Sequence, residues 1–217
     1  MSPEATRAPA PDPSLVGADE RGGNVYDKYA SSNPVERRLV AGFLTAFDAL
    51  AARSGARDAH EVGCGEGELA RRLARAGVKV RGSDAFPRVI ETARERASAE
   101  GLELRFEPRA VQELEPGRDG AELIVCCEVL EHLPGPDAAL ARLVELARPW
   151  LLVSVPREPL WRALNLARLA YVRDLGNTPG HVNHWSRREF LRWLDERVEV
   201  VEARGPLPWT IALCRVR

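Results

Sequence analysis

The sequence predicts a doubly wound α/β domain, a parallel sheet with helices on both faces, and three observations carry that expectation. Short apolar runs that read as strands alternate with longer segments whose apolar residues recur at helical spacing. A glycine cluster, Gly63, Gly65 and Gly67, falls where the first strand passes into a helix. Ala121–Cys127 is a nearly continuous apolar run, as expected of a strand buried on both faces.

Residues 1–23 carry Pro3, Pro9, Pro11 and Pro13 among Ala, Ser, Asp and Gly. Such a composition cannot bury enough surface to offset its ordering entropy, so a disordered tail is expected, with the domain over 24–217. Asn33-Pro34 opens a helix, because proline suits the first helical turn, and Leu39, Phe43, Phe47 and Leu50 form its apolar stripe. A strand follows over 59–62, then a helix over 69–76 that stops at Gly77. Residues 78–83 read as a second strand, 87–99 as a helix stopping at Gly101, and 102–106 as a third strand. The fourth strand is the apolar run, followed by a helix over 137–147 and a fifth strand over 150–155 halted by Pro156. A helix over 187–194 and strands over 198–203 and 209–216 close the chain. Ser186 and Glu189, ahead of Phe190, Leu191 and Trp193, form a helix capping box.

The chain of 217 residues is 45% apolar and 29% charged, and 31 basic residues nearly cancel 32 acidic ones. A net charge of −1 excludes a bulk polycation that binds nucleic acid or anionic membranes through its overall field. One core can form at this length, burying roughly 70% of the unfolded surface. No apolar run approaches the roughly 20 residues of a membrane span, and no secretory signal pattern is visible, so a soluble cytoplasmic protein is expected. Cys64, Cys126, Cys127 and Cys214 lack paired spacing, which argues against a disulfide framework.

The glycine turn Glu61-Val62-Gly63-Cys64-Gly65-Glu66-Gly67 lets backbone turn tightly and approach a ligand with no Cβ in the way. Asp84 ends the second strand, where a carboxylate can accept two ribose hydroxyls. The dinucleotide pattern would need glycine at position 68, where Glu68 stands. A pyrophosphate would also meet Glu61, Glu66 and Glu68, whereas a cofactor carrying a sulfonium and an ammonium suits an acidic loop.

These residues resemble the class I S-adenosylmethionine-dependent methyltransferases, over roughly residues 26–217. The resemblance implies a Rossmann-like seven-stranded sheet, mostly parallel with an antiparallel last strand, and S-adenosylmethionine as cofactor with S-adenosylhomocysteine as product. It implies that the Gly63-Cys64-Gly65 turn approaches the cofactor with Glu61 near its methionyl end, and that Asp84, with Ala85 beside it, meets the ribose. Cys126-Cys127-Glu128-Val129-Leu130-Glu131-His132-Leu133 resembles the fourth-strand motif, so Cys127 and Glu128 would run beside the methionine moiety. Many relatives carry an acid after the third strand that bonds adenine. Here the neighbourhood reads Pro108-Arg109-Ala110-Val111-Gln112, so backbone near Ala110 and Val111 is expected to take that part, with no side-chain role for Arg109. Tyr26 and Tyr29 fit either a flap over the cofactor or an anchor joining the tail to the body.

Methyl transfer to a hydroxyl needs alignment and removal of a proton. His132, expected to begin the helix after the fourth strand, is the first candidate base, and His184 the second. Structural roles stay open for both: an anchor for a loop, and a lid packed by Trp185. A further reading, not favoured, gathers Glu128, Glu131, His132 and His181 around a divalent cation such as Mg²⁺ or Mn²⁺. That set partly resembles the small-RNA 3′-end 2′-O-methyltransferases, which share an E-x-x-E-H run and a later histidine four residues before a tryptophan, here His181 and Trp185.

Residues 156–185 form a long insertion at the active edge, where specificity is usually carried. Leu160, Leu164, Ala167 and Tyr171 share a helical stripe, with Trp161 beside it. Arg157, Arg162, Arg168 and Arg173 outnumber Glu158 and Asp174. The segment reads as a helix with a solvated outer face or as a site for a large apolar or anionic acceptor. The expected function is methylation of a small or medium-sized metabolite, on oxygen rather than nitrogen, with a small-molecule or lipid-linked acceptor and no nucleic-acid partner. The expected state is a monomer or homodimer. Metal-assisted methylation of RNA 3′ ends, and a non-catalytic cofactor- or partner-binding module, are the alternatives.

Overall fold

Two apolar cores grow from the alternation of one strand. In β4 (Ala121–Cys127), Leu123, Val125 and Cys127 enter one buried cluster, while Ile124 and Cys126 enter the other. The computed structural model in which this is seen describes residues 31–167 and 171–217. The expected tail, Tyr26, Tyr29 and Arg168 lie outside the described residues, as does the side chain of Arg173.

The other strands are β1 (Asp58–Val62), β2 (Lys79–Asp84), β3 (Arg105–Pro108), β5 (Ala147–Pro156), β6 (Glu199–Arg204) and β7 (Trp209–Arg215). They form one seven-stranded sheet in the order β3-β2-β1-β4-β5-β7-β6. β1 to β5 pair in parallel, and β7 runs antiparallel to both β5 and β6, as the resemblance implied. The chain moves outward from β1 to β3 and then returns to β4 on the other side of β1. That reversal opens a crevice beyond the carboxyl ends of β1 and β4, where open α/β sheets bind ligands.

α1 (Pro34–Ser54), α2 (Glu68–Arg75) and α3 (Pro87–Ala99) cover one face. α5 (Pro136–Leu146) and α7 (Arg187–Asp195) cover the other, while α4 (Pro116–Asp119) is a single turn before β4. α1 starts where expected: the Asn33 side chain accepts the Val35 N–H at 2.9 Å, and Pro34 has no N–H that needs an acceptor. Its Phe43, Phe47 and Leu50 are buried in the core, whereas Val35, Leu39 and Val40 face the crevice. The capping box at α7 is present, with Ser186 and Glu189 bonded reciprocally.

Three boundaries differ from expectation, and one is β5, which begins at Ala147 rather than at residue 150. The third strand begins at Arg105 rather than at residue 102, because the Leu102 N–H closes back on Ala97 O at 2.9 Å and completes the end of α3. His132 does not begin a helix. It ends a 3₁₀ turn, Leu130–His132, and α5 starts only at Pro136, after the Pro134-Gly135 break.

In the insertion, α6 (Leu160–Ala167) forms; its buried position is Asn165, 3% exposed, while Leu164, Ala167 and Tyr171 of the expected stripe line the crevice with Trp161. Asn165 Nδ2 donates to Gly176 O at 2.8 Å and ties the following loop to the helix. Leu164 is 37% exposed at the mouth of the crevice. Among the described residues, no helix is long and apolar enough to cross a membrane, and all four cysteines are free and buried.

Candidate active site

Four loops, each leaving the carboxyl end of β1, β2, β3 or β4, meet around a cavity of about 590 Å³. That volume is within the usual range for a small-molecule site. The β1 loop can lie this close only because it is built of glycine. Gly63 has φ +73°, and a Cβ there would stand 2.3 Å from Val129 Cγ2.

Glu61 is buried at the end of β1, and its Oε2 accepts the Ala70 N–H at 2.7 Å, capping α2 from across the turn. Burial pushes its carboxyl up to about 8; the Ala70 N–H opposes this, and the charges of Asp84 and Glu68 add to it. Asp84 is buried too. One oxygen accepts the Gly65 N–H at 2.9 Å and the other the Phe86 N–H at 3.0 Å. Burial raises its pKa, and those two N–H groups oppose the rise.

Glu61, Gly63, Cys64, Gly65, Asp84, Ala85, Ala110, Val111, Cys127 and Glu128 all line this one cavity. Two buried acidic groups beside a glycine cradle suit a ligand with ribose hydroxyls and a cationic end better than a pyrophosphate.

Ala110 and Val111 line the cavity as expected of that stretch, with the Ala110 N–H donating to Glu113 Oε2 at 2.6 Å and its carbonyl accepting the Glu113 N–H. Arg109 lines the cavity, held by Asp119 at 2.6 Å, and Gln112 lines it beside Val111. Neither side chain was marked out by the sequence, where only the missing acid drew notice to this stretch.

On the opposite side stand the histidines. His132 Nδ1 lies 3.1 Å from Gly180 O, a carbonyl that can only accept, so this contact orients the ring with Nδ1 as donor. The His181 ring meets His132 edge-on with centroids 4.7 Å apart. One ligand atom each from Glu131, His132 and His181 lie within 4.8 Å of one another. Glu128, expected in that set, is turned away: its carboxylate accepts from Ser154 Oγ at 2.8 Å and from the Trp209 indole at 2.6 Å.

His184 is exposed and is not among the lining residues. Its Nε2 meets Arg162 Nη2 at 2.9 Å and Asn177 Oδ1 at 2.7 Å. Burial, with the charge of Arg162, lowers its pKa. Arg162 likewise stays outside the large cavity. The rings that do line it, Trp161 and Trp209, come from α6 and from the start of β7; nothing local in the sequence marks Trp209.

Comparison with known proteins agrees with this architecture. Residues 38–197 match the family model described as a methyltransferase domain. A ubiquinone biosynthesis O-methyltransferase of Xanthomonas euvesicatoria is 28% identical over 160 residues, covering 69% of this chain and 66% of that protein. One of the same description from Sodalis glossinidius is 30% identical over 159 residues, covering 69% and 64%. The chain thus spans just under two thirds of these relatives' length. Among solved structures, a magnesium protoporphyrin IX methyltransferase from Synechocystis, with S-adenosylhomocysteine bound, superposes with a TM-score of 0.65 at 20% identity, over 88% of this chain and 91% of that one. The chain belongs to the methyltransferase-domain family and has the fold of its class I, S-adenosylmethionine-dependent members.

Proposed function

We propose that this protein is an S-adenosylmethionine-dependent O-methyltransferase of a small or medium-sized metabolite, with His132 as general base. The observation that carries the reading is His132 on the cavity wall, its ring oriented by the Nδ1 contact with Gly180 O, where an imidazole can take a hydroxyl proton. Asp84 would accept the ribose hydroxyls, and the Gly63–Gly65 turn with Glu61 would hold the methionyl end. Val111 and Gln112 would border the adenine. When bound, the cofactor supplies an electrophilic methyl group on a sulfonium. The chain's own work is to hold the acceptor hydroxyl in line, remove its proton and exclude water.

Oxygen as the methylated atom is supported by the relatives named as O-methyltransferases. Val35, Leu39 and Leu164 at the cavity mouth give an apolar exit, so an acceptor with an apolar or lipid-linked tail suits the site. We further infer a cytoplasmic protein acting as a monomer or homodimer. The test is transfer of a labelled methyl group from S-adenosylmethionine to an extract of small hydroxylated metabolites. His132→Ala should abolish a product that the wild-type protein makes; label transfer unaffected by that change would remove His132 as base.

The Glu131, His132 and His181 cluster favours a second reading, a divalent cation that aligns the acceptor oxygen. Titrating Mg²⁺ and Mn²⁺ into protein saturated with S-adenosylhomocysteine separates the two. One-to-one heat lost in Glu131→Ala and His181→Ala favours the cation, and absence of heat favours the base.

A further inference from the structure

Glu128 carries a side chain that methyl transfer as proposed leaves unused, on a backbone its residue type disfavours. Its φ is +61°, in the left-handed region. There the carboxylate is aimed away from the histidines, and its two oxygens take the Ser154 hydroxyl and the Trp209 indole N–H. The Trp209 ring lies 5.2 Å from Phe43 and 5.9 Å from Trp161, centroid to centroid. Trp161 stacks on His181 at 6.0 Å and 24°, and its own indole N–H donates to Thr178 Oγ1 at 2.8 Å. Trp209, Trp161, His181 and His132 all line the acceptor side of the cavity, so rings from separate parts of the chain make one wall.

We propose that Glu128 is a positioning residue that locks Trp209 into an aromatic wall with Trp161, and that this wall selects an acceptor with a flat aromatic ring. The inference rests on the methyltransferase reading and gives its acceptor a chemical class. Both indole N–H groups are taken by protein acceptors, so the wall offers π faces and edges rather than hydrogen-bond donors. Such a surface favours a ring that can stack offset or edge-on at about 4.5–7 Å over a sugar or polyol. It discriminates only if the indole cannot turn, and the carboxylate anchored to Ser154 prevents the turning.

The test uses phenol and cyclohexanol, alike in size and each with one hydroxyl; phenol adds the π system and a more acidic hydroxyl, and the Glu128 and Trp209 variants separate the two. Each is titrated into the full chain, with and without S-adenosylhomocysteine, following tryptophan fluorescence and heat. Phenol should bind about tenfold more tightly than cyclohexanol. Glu128→Gly suits the positive φ and removes the carboxylate; it should erase most of that preference while changing cofactor-product affinity by a smaller factor. Glu128→Gln, which keeps an acceptor for the indole, should recover it. Trp209→Phe, with a ring but no anchoring N–H, should lose it again. Equal binding of the two alcohols by wild type, or a preference that survives both Glu128→Gly and Trp209→Phe, overturns the inference. Failure to bind S-adenosylhomocysteine would defeat the cofactor reading alone, since the phenol-to-cyclohexanol ratio without it still decides this one.

Discussion

The two sides of the cavity are built by different means. The cofactor side is mostly backbone: Gly63 and Gly65 after β1, and Asp84 at the end of β2, lie in one β-α-β unit, where the Gly65 N–H donates to Asp84 and the Gly63 N–H to Ser83 O. The acceptor side is made of side chains from α1, the turn at Leu130–His132, α6, the loop at His181 and the start of β7. Strand ends in a parallel sheet can offer only a few geometries, so the first side is fixed by local rules. The second is assembled from chain-distant segments, so it can be altered without disturbing the first. Substitutions on each side should therefore act on separate measurements.

The largest expected separation is at His132. His132→Ala should lower turnover by about 10²–10⁴-fold while S-adenosylhomocysteine affinity stays within about twofold. A matching loss of affinity would show that the two sides are one. On the cofactor side, Gly63→Ala combines a positive φ with a Cβ 2.3 Å from Val129 Cγ2. It should cost roughly 2–4 kcal/mol of stability, read from denaturant unfolding, together with most cofactor affinity.

Glu61 gives a proton-linked effect. Its folded pKa, near 8, is raised above the unfolded value, so its contribution to stability is fully present below about pH 4.5 and is lost as pH rises through 8. Glu61→Gln should flatten that fall in the melting temperature between those limits. A cationic ligand end beside Glu61 should draw its proton off, so binding near neutral pH should release up to about 1 proton, measured by calorimetry in buffers of different ionisation enthalpy. His60 sets an opposite slope. Burial lowers its pKa, although its hydrogen bond to Asp119 O opposes the shift, so its contribution is present above about pH 6.5 and falls away as the solution is acidified. The smallest effect is at His184, exposed and outside the cavity: His184→Ala should change stability by under about 0.5 kcal/mol and leave turnover within about threefold.

The same contrast explains what was legible in the sequence. Glycine spacing and strand-end acids report local backbone needs, so the sequence groups Gly63, Gly65, Glu61 and Asp84 and the fold brings them to one cavity, while the sheet with its antiparallel last strand follows from the family resemblance. His132 and His181 were also found, although the 3₁₀ turn that presents His132 was not, because the Pro134-Gly135-Pro136 break outweighs the helical pattern. Trp209 and the direction of the Glu128 carboxylate were not legible. They depend on β7 pairing with β5, which brings Trp209 opposite Pro156, a contact no local pattern encodes. The placing of His184 outside the cavity is not legible for a related reason: its partners Arg162 and Asn177 come together only in the folded insertion.

The central claim is that the strand-end loops alone hold the cofactor, and calorimetric titration of S-adenosylhomocysteine into wild type, Asp84→Ala and Trp161→Leu tests it most directly. Wild type should bind at one site, Asp84→Ala should lose about 100-fold in affinity with its two hydrogen bonds, and Trp161→Leu should stay within a few-fold of wild type. Unchanged binding in Asp84→Ala, or an equal loss in both variants, would contradict it.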